Sequence, residues 1–303
     1  MSLRLSRRDF LLAAGLAPVA ACSTGGNAAP GEGPQLVHLY SSDHVIAAGR
    51  LQRIPFAVVD NGELELSDDA ELPVRLLYEG DTVERLTVVG RVVDHDHPGG
   101  DDPDHQHADL LRYFSLRTTL DEVGIYDLEV DFGDAGRAML PIQTFDPNDV
   151  KVVLQGSAMP PIATPTFDRP EGIDPLCTRL EGPCPFHEVD AADVIGSGRP
   201  LALLVATPAL CQTAYCGPVV ETLIKAAPEF DYVTFLHLEF WANGADAEGN
   251  YQAEGLELAA PVAELGLTFE PSLFLVGGDG TVVDRIDNIF DPAELRAGLQ
   301  ALV

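Results

Sequence analysis

Seven prolines between residues 160 and 185 (Pro160, Pro161, Pro165, Pro170, Pro175, Pro183 and Pro185) constrain this chain more than any other feature. Each fixes its own φ and lacks an N–H, so a run this dense excludes helix and central strand. Residues 151–186 therefore read as an extended linker. It divides the 303 residues into two parts with different periodicities. That suits a chain of this length at about 100–200 residues per domain. With 46% apolar residues, both parts have material for a core.

Upstream, residues 36–150 read as short strands between turns, at 54–59, 73–78, 85–93, 113–117, 124–130 and 138–145. Alternation of apolar and polar residues with Asp/Asn-Gly punctuation predicts a small β-sandwich. Gly124-Ile125-Tyr126-Asp127-Leu128 resembles the late strand of immunoglobulin-like modules, where a Tyr packs at the corner. The expected class for this part is an all-β immunoglobulin-like sandwich. No cysteine falls within residues 36–150, so an antibody-type inter-sheet disulfide is excluded.

Downstream, over residues 187–303, the pattern changes to alternating strands and helices. A short helical piece at 191–195 precedes Pro200-Leu201-Ala202-Leu203-Leu204-Val205-Ala206, a continuous apolar run of the kind buried on both faces. Helix at 217–227, strand at 231–241, helix at 256–265 and strand at 271–276 follow. Gly277-Gly278-Asp279-Gly280 predicts a hairpin turn into a strand at 281–286. Asp291-Pro292 caps a last amphipathic helix running to residue 302.

The first 21 residues read as a leader, not as fold. Ser6-Arg7-Arg8-Asp9-Phe10-Leu11 is a twin-arginine pattern, and the apolar run after it is too short for a membrane-spanning helix, which takes about 20 residues. The run ends Val19-Ala20-Ala21-Cys22, which resembles a lipobox. That resemblance implies cleavage before Cys22 and a lipid anchor on its thiol. Residues 22–35, rich in Gly, Ala and Pro, would be a flexible tether. The expected location is the outer face of the cell membrane. The net charge of −30 argues against nucleic acid and anionic membrane surfaces as partners, since both would repel it.

Setting Cys22 aside leaves Cys177, Cys184, Cys211 and Cys216, two close pairs free to oxidise outside the cytoplasm. Cys177 and Cys184 pin the end of the linker, and the expectation there is a structural disulfide.

The downstream order, βαβ followed by αββα, resembles the thioredoxin topology, and the motifs agree. Tyr215-Cys216-Gly217-Pro218-Val219 is similar to the thioredoxin W-C-G-P-C box, and Glu270-Pro271 stands where that family keeps a cis-proline. The resemblance covers residues 187–303 and implies an α/β thioredoxin-like domain with Cys216 and Pro271 in its site. Val219 replaces the second box cysteine, and Cys211, five residues upstream, is the remaining candidate partner.

A thiol at a helix N-terminus faces unsatisfied N–H groups and the positive end of the helix dipole, which favour the thiolate. Cys216 is therefore expected to attack and Cys211 to resolve the mixed disulfide. Glu270 opposes this, because a carboxylate near the sulfurs disfavours thiolate. A permanent Cys211–Cys216 staple stands as the other reading of the pair.

Two further groups suggest metal. His237 and Glu239 share one face of a strand, and a site beside the cysteines would resemble the Sco-type copper proteins of the same fold, although the cysteine spacing here is one residue longer. Residues 94–109 carry His95, His97, His105 and His107 among aspartates, a low-complexity tract suited to Zn or Cu. No cofactor is required by either reading of the cysteines.

Two functions follow. One is a membrane-anchored extracytoplasmic thiol–disulfide oxidoreductase acting on exported proteins or thiols. The other is a non-enzymatic surface lipoprotein that binds metal or protein partners, with both cysteine pairs structural.

Overall fold

Period-two alternation builds the first half of the molecule. The computed structural model describes residues 33–40, 45–59, 66–94, 110–211, 215–245, 250–251 and 254–303. In chain order come β1 (Gln35–His38), β2 (Leu51–Val59), β3 (Glu71–Tyr78), β4 (Asp81–Asp94), β5 (Leu110–Thr119), β6 (Gly124–Asp131) and β7 (Arg137–Thr144). They form one antiparallel sheet in the order β1-β2-β5-β4-β3-β6-β7. In β7, Ala138, Leu140, Ile142 and Thr144 are buried while Arg137, Met139, Pro141 and Gln143 face out. Leu72, Val74 and Leu76 repeat the pattern in β3. A strand with this period has one face on the core and one in water.

The sheet folds over on β4. Residues 81–89 of that strand pair with β3, and residues 90–94 pair with β5. The change falls at Gly90, whose N–H donates to the Ala70 carbonyl at 2.8 Å. A Cβ at Gly90 would lie 2.8 Å from the Asp68 carbonyl oxygen, so glycine permits the close approach. The fold-over brings Ala47 to bridge Phe145 just beyond β7, and the sheet is nearly barrel-shaped. Ile54, Phe56, Phe114 and Leu116 from one half share a core with Val74, Leu76, Leu128 and Ile142 from the other. The antiparallel all-β character agrees with the sequence. The two separate sheets of a sandwich do not, because the 14-residue β4 is long enough to belong to both halves.

The second half is a four-stranded sheet. Its strands are β8 (Leu201–Val205), β9 (Thr234–Leu238), β10 (Ser272–Val276) and β11 (Val282–Asp287), in the order β11-β10-β8-β9. β8 and β9 are parallel, and the other pairs are antiparallel. The helices are α1 (Ala191–Val194), α2 (Cys216–Ala226), α3 (Ala260–Glu264) and α4 (Pro292–Gln300). Pro292 opens α4, and Asp291 caps it by accepting from the Glu294 N–H.

Every residue of β8 and β10 is buried, because both faces are covered. Ala202, Leu204, Leu273 and Leu275 meet Val219 and Leu223 of α2 and Leu295 and Leu299 of α4. Leu201, Leu203, Val205, Phe274 and Val276 join the core of the first sheet on the other side. Residues 151–186 complete that second cover. They form no helix or strand. Val152, Leu154, Met159, Ile162 and Ile173 are nonetheless buried in the shared core. Gly156 and Met159 donate to the Val282 and Gly280 carbonyls at 2.8 Å. A Cβ on Gly266, whose φ is +69°, would lie 2.2 Å from the Lys151 carbonyl oxygen. The span from Gly33 to Val303 is one compact unit, and among the described residues no helix is long and apolar enough to cross a membrane.

A polar seam joins the two sheets. Arg53 of β2 is buried and donates to Glu294 of α4 from Nε at 2.7 Å and Nη2 at 2.8 Å. Its remaining donors reach the Asp287 and Ile289 carbonyls at 2.8 and 2.5 Å. Tyr113 and Ser115 also donate to Glu294, at 2.8 and 3.0 Å. Burial would raise the Glu294 pKa, but the adjacent Arg53 charge and hydrogen bonds outweigh it, with help from Tyr113 and Arg117. The carboxyl is held down at about 2.

Candidate functional site

Two sulfur clusters lie near the C-terminal ends of β8 and β9. The first is built on the start of α2. Cys216 is the first residue of that helix, and Val219 already donates to the Tyr215 carbonyl at 3.0 Å. Tyr215 at the cap makes no side-chain capping bond. The positive end of α2 is thus directed at the Cys216 sulfur.

Cys211 and Cys216 form a disulfide with an S–S distance of 2.11 Å and a Cα–Cα distance of 6.0 Å. Cys216 is fully buried, while Cys211 is partly exposed. The sequence places Cys216 correctly at a helix start, but helix position alone does not reveal which sulfur faces water.

Glu270 completes this cluster. It precedes Pro271 across a cis peptide bond, and one of its carboxylate oxygens lies within 4.8 Å of both sulfurs. It is buried, and Oε2 accepts from the Thr207 N–H at 2.5 Å while Oε1 has no partner. Burial raises its pKa, the Thr207 N–H opposes, and Glu239 adds to the rise, to about 8. Glu270 is therefore a protonated carboxylic acid at neutral pH, able to donate a proton at the sulfurs.

The second cluster overturns an expectation. Cys177 and Cys184 are buried free thiols, not the disulfide anticipated from their spacing. Two imidazoles stand where the spacing argument had only the two sulfurs. His187 Nε2 lies 3.3 Å from Cys184 Sγ, and His237 Nδ1 lies 3.6 Å from Cys177 Sγ and 3.4 Å from Cys184 Sγ. The two ring nitrogens are 3.3 Å apart. His237 Nε2 donates to the Ala206 carbonyl at 2.9 Å, which turns Nδ1 toward the two sulfurs.

The charges in this cluster are shared. Hydrogen bonding with Cys184 moves Cys177 toward thiolate against burial, and the same interaction with burial pushes Cys184 up. Burial would lower His237, but the Cys177 hydrogen bond and Glu239 charge outweigh it and lift the pKa to about 9. Glu239 is raised to about 7 by burial. It accepts from the Thr178 N–H at 2.6 Å and hydroxyl at 3.0 Å.

His237 does not join the Cys211–Cys216 cluster, as a copper site of that fold would require. It instead faces Cys177 and Cys184. His187 was missed, although Cys184-Pro185-Phe186-His187 carries a metal-type C-x-x-H spacing. His95, His97, His105 and His107 lie outside the described residues, as do Cys22 and the leader.

No known protein family matches the chain, and no curated protein matches it. A solved structure described as MTB dsbF in its mixed oxidized and reduced forms is similar to it at 21% identity and a TM-score of 0.31. The similarity covers 47% of this chain and 95% of that one.

Proposed function

We propose that this protein carries out thiol–disulfide exchange through Cys211 and Cys216. The observation that carries the reading is a disulfide at the first residue of a helix, with one of its cysteines partly exposed and the buried Glu270 carboxyl, one oxygen of it unpartnered, beside it. The four-stranded sheet flanked by α2 and α4, with Pro271 before β10, supports a thioredoxin-like unit. The antiparallel all-β first half supports a non-catalytic partner module. Ser6-Arg7-Arg8 and Ala20-Ala21-Cys22 support export and lipid anchoring on the outer face of the membrane, where exported proteins or thiols are the clients.

Accessibility reverses the roles assigned from the sequence. An incoming client thiolate meets Cys211, the more exposed residue of the pair, and attacks its Sγ. Its electron pair forms a new S–S bond there, and the Cys211–Cys216 bond breaks with its electrons on Cys216 Sγ. The helix start stabilises that thiolate, and Glu270 can deliver its proton to it. A second client thiolate then attacks the mixed disulfide, leaving an oxidised client disulfide and Cys211 as a thiol. Run backward, the same steps reduce a client.

The full burial of Cys216 is also what a structural staple requires, and it favours the non-enzymatic lipoprotein as the second reading. The midpoint potential of the pair separates the two. A value above about −300 mV, together with thiol-exchange activity that Cys211→Ser and Cys216→Ser abolish, supports exchange; a value below it marks a structural bridge.

A further inference from the structure

We infer that Cys177, Cys184, His187 and His237 form a structural zinc site. The inference uses a different pair of cysteines from the exchange reaction and stands or falls independently of it.

The geometry points to a single tetrahedral ion. Zinc binds thiolate at about 2.3 Å and imidazole at about 2.0–2.1 Å, which sets tetrahedral S···N edges of about 3.5 Å and an N···N edge of about 3.3 Å. Three of the four S···N separations are 3.3, 3.4 and 3.6 Å, and the N···N separation is 3.3 Å. All four donor atoms lie within 4.8 Å of one another. Such a set closes on one ion. A two-iron cluster would place its cysteines and its histidines on different metal atoms.

The donors and their surroundings agree. Two sulfurs and two imidazole nitrogens in tetrahedral array suit zinc, and four protein ligands leave no open position, as structural sites require. All four residues are at most 7% exposed. The Ala206 carbonyl fixes the His237 tautomer with Nδ1 inward, and the Cys184 N–H donates to Cys177 Sγ at 3.4 Å. Both are the outer contacts that orient metal ligands. A bond between these two cysteines would need no histidine at all. The same chain closes Cys211–Cys216 while leaving this pair open.

The site has a mechanical role. Two ligands come from the proline-rich segment, the third is His187 immediately after it and the fourth comes from β9, so the ion fastens the segment to the sheet. Thr178, next to Cys177, binds Glu239 and accepts from the Ala209 N–H at 3.2 Å. The loop that carries Cys211 is thereby tied to the clamp.

The test uses the full chain, purified without chelator or reductant. Elemental analysis should find about one zinc per chain, and alkylation should label Cys177 and Cys184 only after chelation. Replacement by Co²⁺ should give intense tetrahedral d–d bands with thiolate-to-metal charge transfer. His187→Ala should lose the metal. His187→Cys should keep it and raise the charge-transfer absorbance about 1.5-fold, for three thiolates in place of two. Cys211→Ser should leave metal content unchanged. A mapped Cys177–Cys184 disulfide, metal-free protein, iron in place of zinc, or zinc retained in Cys184→Ser would each overturn the assignment.

Discussion

Replacing Glu294 by Ala removes the only carboxylate that meets the Arg53 guanidinium among the described residues. The side chain of Arg53 is 1% exposed, so the charge cannot recover its hydration without opening the seam. Two backbone carbonyls remain as acceptors, but neither is charged. Stranding one partner of a buried pair costs about 3–5 kcal/mol. The lowered Glu294 pKa points to the same size of effect. The fall of the Glu294 pKa from 4.5 to about 2 corresponds to about 3 kcal/mol, at about 1.4 kcal/mol per pH unit. With an m-value of about 3 kcal/mol/M, the urea midpoint of Glu294→Ala should fall by about 1–1.7 M. The double variant Arg53→Met/Glu294→Leu should regain most of the loss, since apolar replacements of a buried pair are often neutral or stabilising. The sign in pH follows from the lowered pKa. The contribution is complete above about 4.5, the unfolded value, and is lost as pH falls toward 2. A midpoint shift below about 0.3 M at pH 7, or equal acid sensitivity in wild type and variant, would refute the reasoning.

Cys216→Ser should trap clients as long-lived mixed disulfides on Cys211, visible on non-reducing gels, because the exposed sulfur remains and the internal resolving thiol is gone. Trapping by Cys211→Ser instead would restore the roles first read from the sequence. Glu270 is raised in the fold, so the stability it lends is complete below about 4.5 and is lost as pH rises through about 8. Glu270→Gln should therefore flatten the stability profile between about pH 4.5 and 8, and thermal melts with the same slope in wild type and variant across that window would count against it. Gly266→Ala should destabilise by about 2–4 kcal/mol, through a left-handed φ and a contact with the Lys151 carbonyl, read in thermal or urea unfolding.

Local signals were the legible ones. The period-two strands, the apolar run of β8, the hairpin at Gly277–Gly280 and the Asp291-Pro292 helix start all lie within a few residues of the observed elements. The Cys211–Cys216 pairing was legible because five residues separate the two thiols. Cys177 and Cys184 are only seven positions apart, yet their state depends on His187 and on His237, which arrives from a strand fifty residues later than His187. No local rule reports that meeting. The Arg53–Glu294 pair spans 241 positions and had no sequence signal. The fold-over on β4 was hidden for a related reason: Gly90 marks a close backbone approach from Asp68 and Ala70, which strand periodicity does not encode.

The double-sided cover of β8 and β10 sets a limit on modularity. One roof of that sheet is α2 with α4, and the other is supplied by chain from well before residue 187. A fragment cut near that residue would keep the Cys211–Cys216 disulfide and lose a ceiling, exposing Leu201, Leu203, Val205, Phe274 and Val276 to water. Such a piece is not a cassette that can be lifted out and grafted elsewhere.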